Sequence, residues 1–506
     1  MKKHYALALL LLAAQSCRDV QEQAPFANTA HQTPAQLDQF IWSTIRAKGE
    51  FTWNIASDEQ VSNALRWSDN IMAVGFKPAG ASADIRTTIH TIDVNNGPWQ
   101  QARQQVLDLI YASERELDPT LTRTELIAFE EDVLPVVDVR IKNPATVQKL
   151  RASNLVRYAE PTGYHPGQND SKARPTSDSG CDSNFAQNDL VAGQDFTTVE
   201  PGSKASWNHA FHNVGSAWSQ STGAGVKLMV IDTGVSDAQD NLGSALNQGG
   251  SSGRTIEKRV TLPKAWPWSS AETPNDGCGH GTSMIGAAAA PRGVDGAAAG
   301  VAYNASLVSC RAATNVVIDA SREVKGVSDA YVLAAGRADI KIISMSLGMI
   351  TSSSQIADAV RLAYNNGKLM FCAAGTSFDW SAGWYGVIFP ASMNEVQAVT
   401  GVKDNLTQRC DLCHSGSQVD FVVVMEKASN GRKPLTLAMS GNVPSTVGGS
   451  SVATATTAGM AALVWSKNPG LARDQVVARM AAASNYYPNR NADFGWGRVN
   501  MVDALN

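Results

Sequence analysis

The 506-residue sequence has no stretch of about 20 predominantly apolar residues, the length a helix needs to cross a bilayer. Its longest wholly apolar run, residues 5–14, is about half that length. Charge is also sparse: Asp, Glu, Lys and Arg make up 17% of the chain and leave a formal net of -4. That balance supplies no electrostatic footprint for nucleic acid or another polyanion, so those partners are excluded. No internal repeat is present, which excludes stacked-repeat architectures. Cysteine is scarce, with 7 in all.

What is present begins with "MKKHYALALLLLAAQSC": a basic start, a short apolar run and small residues before Cys17. This is the layout of a secretory signal, and it implies an exported protein. "AAQSC" also resembles the end of a bacterial lipoprotein signal, which makes Cys17 a lipidation candidate and a lipid anchor the only expected membrane contact. The usual Leu three places before the Cys is Ala14 here, and the small residues up to Ser16 equally suit simple cleavage. The remaining cysteines are Cys181, Cys278, Cys310, Cys372, Cys410 and Cys413. Six cysteines permit three disulfides in 15 connectivities. Cys310 and Cys372 lie in apolar strand-like runs, where buried thiols are as well accommodated as bridges.

Residues 18–69 read as a polar tether followed by two short amphipathic helices, "QLDQFIWSTIRAKG" and "DEQVSNALRWS". Over 70–165 the order is strand "NIMAVGFKP", helix "GPWQQARQQVLDLIYASERE", strands "TELIAFEE" and "LPVVDVRIK", helix "PATVQKLRAS" and strand "LVRYAEP". This is the βαββαβ order of a ferredoxin-like α+β unit. Residues 166–206, including "GQNDSKARPTSDSG", form a solvated linker open to nicking.

From 207 to 506, near-continuous apolar strands such as "GVKLMVIDTG", "SLVSCRA", "IKIISMSLG" and "KLMFCAAG" alternate with helical stretches. The pattern implies an α/β fold with a mostly parallel sheet buried on both faces, and chemistry at the carboxyl ends of its strands. Three candidates stand at such places: Asp232 after "KLMVI", His280 in "GCGHGTSMIG", and the serine pair opening "GGSSVATATTAGMAALV". One serine could merely cap its helix, "DTG" is short, and a lone His is commonly structural. Together, however, Asp, His and Ser are what hydroxyl-based nucleophilic catalysis requires: a nucleophile, a base and a carboxylate that orients the base.

"VIDTG", "HGTSMIG" and "GSSVATA", in that order, resemble the three signature segments of subtilisin-like serine proteases, a similarity covering nearly all of 207–506. The resemblance implies a subtilisin-like fold, a catalytic triad of Asp232, His280 and Ser451, and protein or peptide substrates. It implies that Ser346, Leu347 and Gly348 bind substrate, with a peptide adding alongside as a strand. Ala455 replaces a family Pro without loss of a functional group. The family's oxyanion Asn is Thr376 here, so Thr376 is the oxyanion candidate, and an impaired, peptide-binding pseudoprotease is the alternative reading.

The 70–165 unit is similar to the family's pro-domain, an intramolecular inhibitor whose tail lies in the active site. Self-cleavage is then expected between Tyr158 and Cys181, and the enzyme is expected to be a monomer. No cofactor is required. Calcium is common in the family, but no acidic loop offers about 6–8 oxygen ligands, and Asn241 stands where a ligand is often Asp. The metal content is therefore left open. "CDLCH", at 410–414, matches the c-type haem attachment pattern, with a local disulfide, a reduced pair or an adventitious metal site as its competing readings.

Overall fold

The computed structural model describes residues 32–167, 181, 184–266, 268–377 and 383–506. The signal, Cys17, the first part of the tether and the linker stretch 168–180 lie outside the described residues.

The first unit is built on a four-stranded antiparallel sheet in the order Ile127–Phe129, Val136–Arg140, Ile71–Phe76, Val156–Pro161. Two crossover helices, Gly97–Leu117 and Pro144–Arg151, complete the split βαβ arrangement. The segment "TELI" was expected as strand. Its first residues instead form the short helix Arg123–Leu126, because Thr122 and Glu125 make a reciprocal capping box.

The two earlier helices, Pro34–Lys48 and Asp58–Arg66, are not a separate tether. Leu37, Ile41 and Val61 share one apolar cluster with Met72, Val74 and Val106 of the sheet unit, so the expected division at residue 70 is no break in the core.

The second unit carries eight strands in the order Gly497–Arg498, Val419–Glu426, Gln397–Lys403, Leu369–Ala373, Ile340–Met345, Lys227–Asp232, Ser306–Arg311, Ile256–Val260. All their pairings are parallel. Both faces are covered, which is why the central strands are largely apolar: Leu228 and Val230 join one cluster, Met229 and Ile231 the other, whereas the edge strand Ile256–Val260 carries Glu257, Lys258 and Arg259. The first cluster centres on helix Gly449–Lys467, which crosses beneath helix His280–Ala289. Small residues are needed at that crossing, since a Cβ on Gly459 would lie 2.6 Å from Ala288 O.

The second cluster contains helices Ser321–Ala335 and Ser354–Asn365 and extends into the first unit through Ala73, Leu134 and Val136. Polar contacts cross the same seam. Arg157 pairs with Asp358 at 2.6 Å, both nearly buried, and Tyr158 donates to the same carboxylate at 3.1 Å. Glu160 accepts Ser354 N–H at 2.9 Å and its hydroxyl at 2.7 Å, placing a carboxylate at a helix N-terminus. Gln355 donates to buried Asp138 at 2.9 Å.

Beyond the last strand of the first unit the chain turns back on its own first helix. Tyr164 donates to Asp38 Oδ1 at 2.6 Å and Gly167 N–H to Asp38 Oδ2 at 2.8 Å. The tail up to Gly167 is thus tied to the first unit's own helix, and the implied placement of a tail in the active site falls on 168–180, outside the described residues. Tyr158 and Tyr164, inside the expected cleavage window, are held in folded structure, and the stretch 168–180 of that window lies outside the described residues.

Candidate active site

Asp232 ends its strand, and its side chain is buried at the carboxyl edge of the sheet. Asp232 Oδ1 accepts the N–H of Thr233 at 2.8 Å and faces His280 Nδ1 at 2.8 Å. An ionised carboxylate only accepts, so Nδ1 carries the proton and Nε2 is left as a base. His280 is the first residue of its helix. Burial disfavours the charged ring, and the Asp232 carboxylate, by charge and hydrogen bond, outweighs it, so the imidazole pKa lies above its ordinary value.

Ser451 sits in the first turn of helix Gly449–Lys467 and lines the same cleft as His280, a cavity of 170 Å³. The helix N-cap is Gly448, so neither serine serves as the cap that one reading allowed. Ser450 has a different task. Its Oγ accepts Gly375 N–H at 3.2 Å and lies 3.0 Å from Thr376 Oγ1. Gly449 has φ +84°, and a Cβ there would come within 3.0 Å of Thr376 Oγ1, so glycine is needed both for the turn and for the approach.

Thr376 borders this cleft and a second one of 40 Å³ that also touches Ser451. Ser346, Leu347 and Gly348 line the second cleft together with Ile388. The Ser346 hydroxyl donates to Ser451 O at 3.0 Å. Gly348 departs from the expectation of a strand free to pair with a peptide. Its N–H already donates to Val316 O at 3.2 Å and its carbonyl accepts Ile318 N–H at 2.9 Å.

Several supporting residues were not legible beforehand. Asp276, four places before His280, accepts the N–H groups of Cys278, Gly279 and Thr282 at 3.0, 2.7 and 2.9 Å and the hydroxyl of Thr233 at 2.9 Å. One carboxylate thereby ties the start of the His280 helix to the turn after Asp232. Its only sequence signal is an acidic residue in the glycine-rich approach to "HGT".

Cys181 is bonded to Cys278, which fastens this part of the linker two residues from His280, and Asn184 donates to Gly279 O. Cys410 is bonded to Cys413. Cys310 and Cys372 are buried thiols, each pushed up to about 12 by burial, so the six cysteines make two bridges rather than three. Of the readings of "CDLCH", the structure shows the disulfide. The thiols a haem would need are joined to each other, and His414 has both ring nitrogens in hydrogen bonds, to Gly386 O at 2.6 Å and Ser377 Oγ at 2.8 Å.

Asn241 donates to Asp295 at 3.1 Å and accepts from Gln248 at 2.7 Å. Among the described residues no group of three or more His, Cys, Asp or Glu is placed to hold a metal ion.

A parallel sheet covered on both faces, with the cleft lined by His280 and Ser451 at the carboxyl edge where Asp232 ends its strand, defines an α/β protein of the open parallel-sheet class. The profile of the Subtilase family matches residues 223–497, and the chain belongs to that family, with its subtilisin-like fold. It is 30% identical over 283 residues to alkaline elastase YaB of Bacillus sp. (strain YaB), covering 56% of this chain and 65% of that protein. Thermitase of Thermoactinomyces vulgaris is 27% identical over 290 residues, covering 57% of this chain and 91% of thermitase. Among solved structures, the MycP3 protease from the type VII (ESX-3) secretion system aligns at 24% identity and a TM-score of 0.47, over 64% of this chain and 93% of its own.

Proposed function

We propose that the protein is an exported serine endopeptidase of the subtilisin type, made as a precursor that its own first unit keeps inactive. The observation that carries this reading is the 2.8 Å bond between His280 Nδ1 and Asp232, in the cleft that Ser451 lines. Ser451 attacks a peptide carbonyl while His280 Nε2 takes its proton. The same imidazole then protonates the departing amine, and water repeats the sequence to release the acid. Asp232 keeps the tautomer and stabilises the imidazolium. These groups supply every proton transfer, so the proposed reaction uses no metal or cofactor.

The oxyanion would be held by the Ser451 amide and the Thr376 hydroxyl. Ser450 Oγ accepts Gly375 N–H and lies 3.0 Å from Thr376 Oγ1; with Ser450 as the donor of that pair, the Thr376 proton is free for substrate. This arrangement favours activity over the pseudoprotease alternative. An extended peptide would run past Ser346, parting Gly348 from 316–318 as it enters.

The first unit is read as the inhibitor because it covers helices Ser321–Ala335 and Ser354–Asn365 through a buried ion pair and a shared apolar cluster. Cleavage within 168–180 would free it, while the Cys181–Cys278 bridge would hold the new N-terminus beside His280. Export rests on the signal-like start, and anchoring, if Cys17 is lipidated, on that residue alone. The mature enzyme is taken to be a monomer.

Intact mass of the purified protein beside Ser451→Ala tests the reading. Wild type losing the first unit while the variant stays whole supports it. Both staying whole, with no peptide hydrolysed, refutes it.

A further inference from the structure

We propose that His414 is a positioning residue for the oxyanion site: with Ser377 it fixes the segment 375–377, and so sets where Thr376 points beside Ser451. The inference rests on the peptidase reading above.

Segment 375–377 belongs to no long strand. It is held by a short antiparallel pairing with 412–414: His414 N–H donates to Gly375 O at 2.9 Å, Ser377 N–H to Leu412 O at 2.8 Å, and Thr376 faces Cys413 across the bridge. The His414 side chain adds a second level of attachment. Gly386 O can only accept, so His414 Nδ1 is the protonated nitrogen of the 2.6 Å bond. His414 Nε2 therefore presents a lone pair, which accepts the Ser377 hydroxyl proton at 2.8 Å. The other acceptor near that hydroxyl, Trp384 O, is 3.5 Å away and a weaker competitor. Burial pushes the His414 pKa down to about 4, so this tautomer persists at neutral pH.

The ring sits directly beneath the oxyanion segment. Gly375 has φ +128°, and a Cβ there would lie 2.5 Å from His414 Nδ1, so only glycine lets the main chain pass over the imidazole. Trp384 and Tyr385 meet the ring edge-on, each with centroids 5.7 Å away. The partner segment is itself rigid. Cys410–Cys413 closes it into a short loop, and the Arg409 guanidinium donates to Cys413 O and Asp411 O, both at 2.9 Å. Thr376 thus has two anchors, Ser450 from the nucleophile's helix and the His414–Ser377 pair from behind. A threonine hydroxyl reaches less far than an asparagine amide, so its main chain must be placed accurately if it is to donate to the developing oxyanion.

The test compares the mature enzyme with His414→Phe, which keeps the ring volume and loses both nitrogens, and with Ser377→Ala, a milder deletion of the same bond. Each is also combined with Thr376→Val. The proposal expects kcat to fall about 10- to 100-fold in either single variant, KM to stay within about threefold, and neither change to lower kcat further in the Thr376→Val background. Full kcat in Ser377→Ala and His414→Phe, or losses that multiply with Thr376→Val, would overturn it. Should His414→Phe fail to fold, Ser377→Ala alone decides. A wild-type enzyme that hydrolyses no peptide would remove the peptidase reading and this proposal with it, whereas active wild type with unaffected variants removes only this proposal.

Discussion

Ser450 Oγ lies 3.0 Å from Thr376 Oγ1 while accepting the Gly375 amide at 3.2 Å. The serine beside the proposed nucleophile is therefore a prop for the segment 375–376, and this gives the two adjacent serines separate places in the site. Replacing Ser450 by Ala leaves a buried amide unpaired, a loss of about 1–3 kcal/mol. Thermal or denaturant unfolding should show that loss, accompanied by a fall in kcat.

Thr376→Val keeps the shape of the side chain and removes its only donor. If that hydroxyl stabilises the oxyanion, kcat drops by on the order of 10²–10³, the range found for an oxyanion donor in subtilisin, with KM little changed. Steady-state kinetics on a peptide ester and a peptide amide would check this, and unchanged kcat would exclude Thr376 as the donor.

The pH profile follows from His280. Catalysis needs the neutral ring, and the pKa of His280 is raised, the Asp232 charge and hydrogen bond outweighing burial. Activity should therefore fall on acidification with a midpoint above about 6.5, the ordinary histidine value. Asp232→Asn should move that midpoint down and cut kcat by on the order of 10⁴ through loss of the correct tautomer.

Docking of the first unit should also depend on pH. Burial raises Asp138 to about 7, and Glu160 and Asp358 are raised for the same reason. Groups more protonated when docked than when free take up protons on docking, so binding strengthens as pH falls and weakens as pH rises through about 7. Gel filtration of the cleaved protein should show more retained first unit at pH 6 than at pH 8, by about tenfold in affinity. Asp138→Asn should flatten the difference.

Ile388 limits the smaller cleft. A Cβ on Gly348 would lie 2.3 Å from Ile388 Cδ1, and the 40 Å³ left holds on the order of three waters, too little for an aromatic ring. Substrates with Ala or Gly before the scissile bond should be preferred. Ile388→Ala should raise kcat/KM for Phe relative to Ala at that position by about tenfold or more.

Asp232, His280 and Ser451 were legible because each sits in a short local pattern at a strand end or helix start, and local patterns survive in one dimension. The apolar strands were legible because burial on both faces leaves no other composition. The roles of Asp276, Ser450 and His414 were not, because they act through partners set by the fold: Gly375 is 75 residues from Ser450, and Ser377 is 37 from His414. The Cys181–Cys278 pairing was hidden for the same reason, since it spans 97 residues, whereas the Cys410–Cys413 bridge is local and was among the readings of "CDLCH". Gly348 read as a free substrate strand because its pairing with 316–318 depends on where a loop settles, and no periodicity records that.

The most direct test of the central claim is to treat the mature protein with a serine-directed fluorophosphonate and map the adduct by peptide mass spectrometry. One phosphonyl group on Ser451, absent from Ser450 and abolished in His280→Ala, is the expected result. Labelling at Ser450, or none in a correctly folded and processed protein, would contradict the assignment of Ser451 as the activated nucleophile.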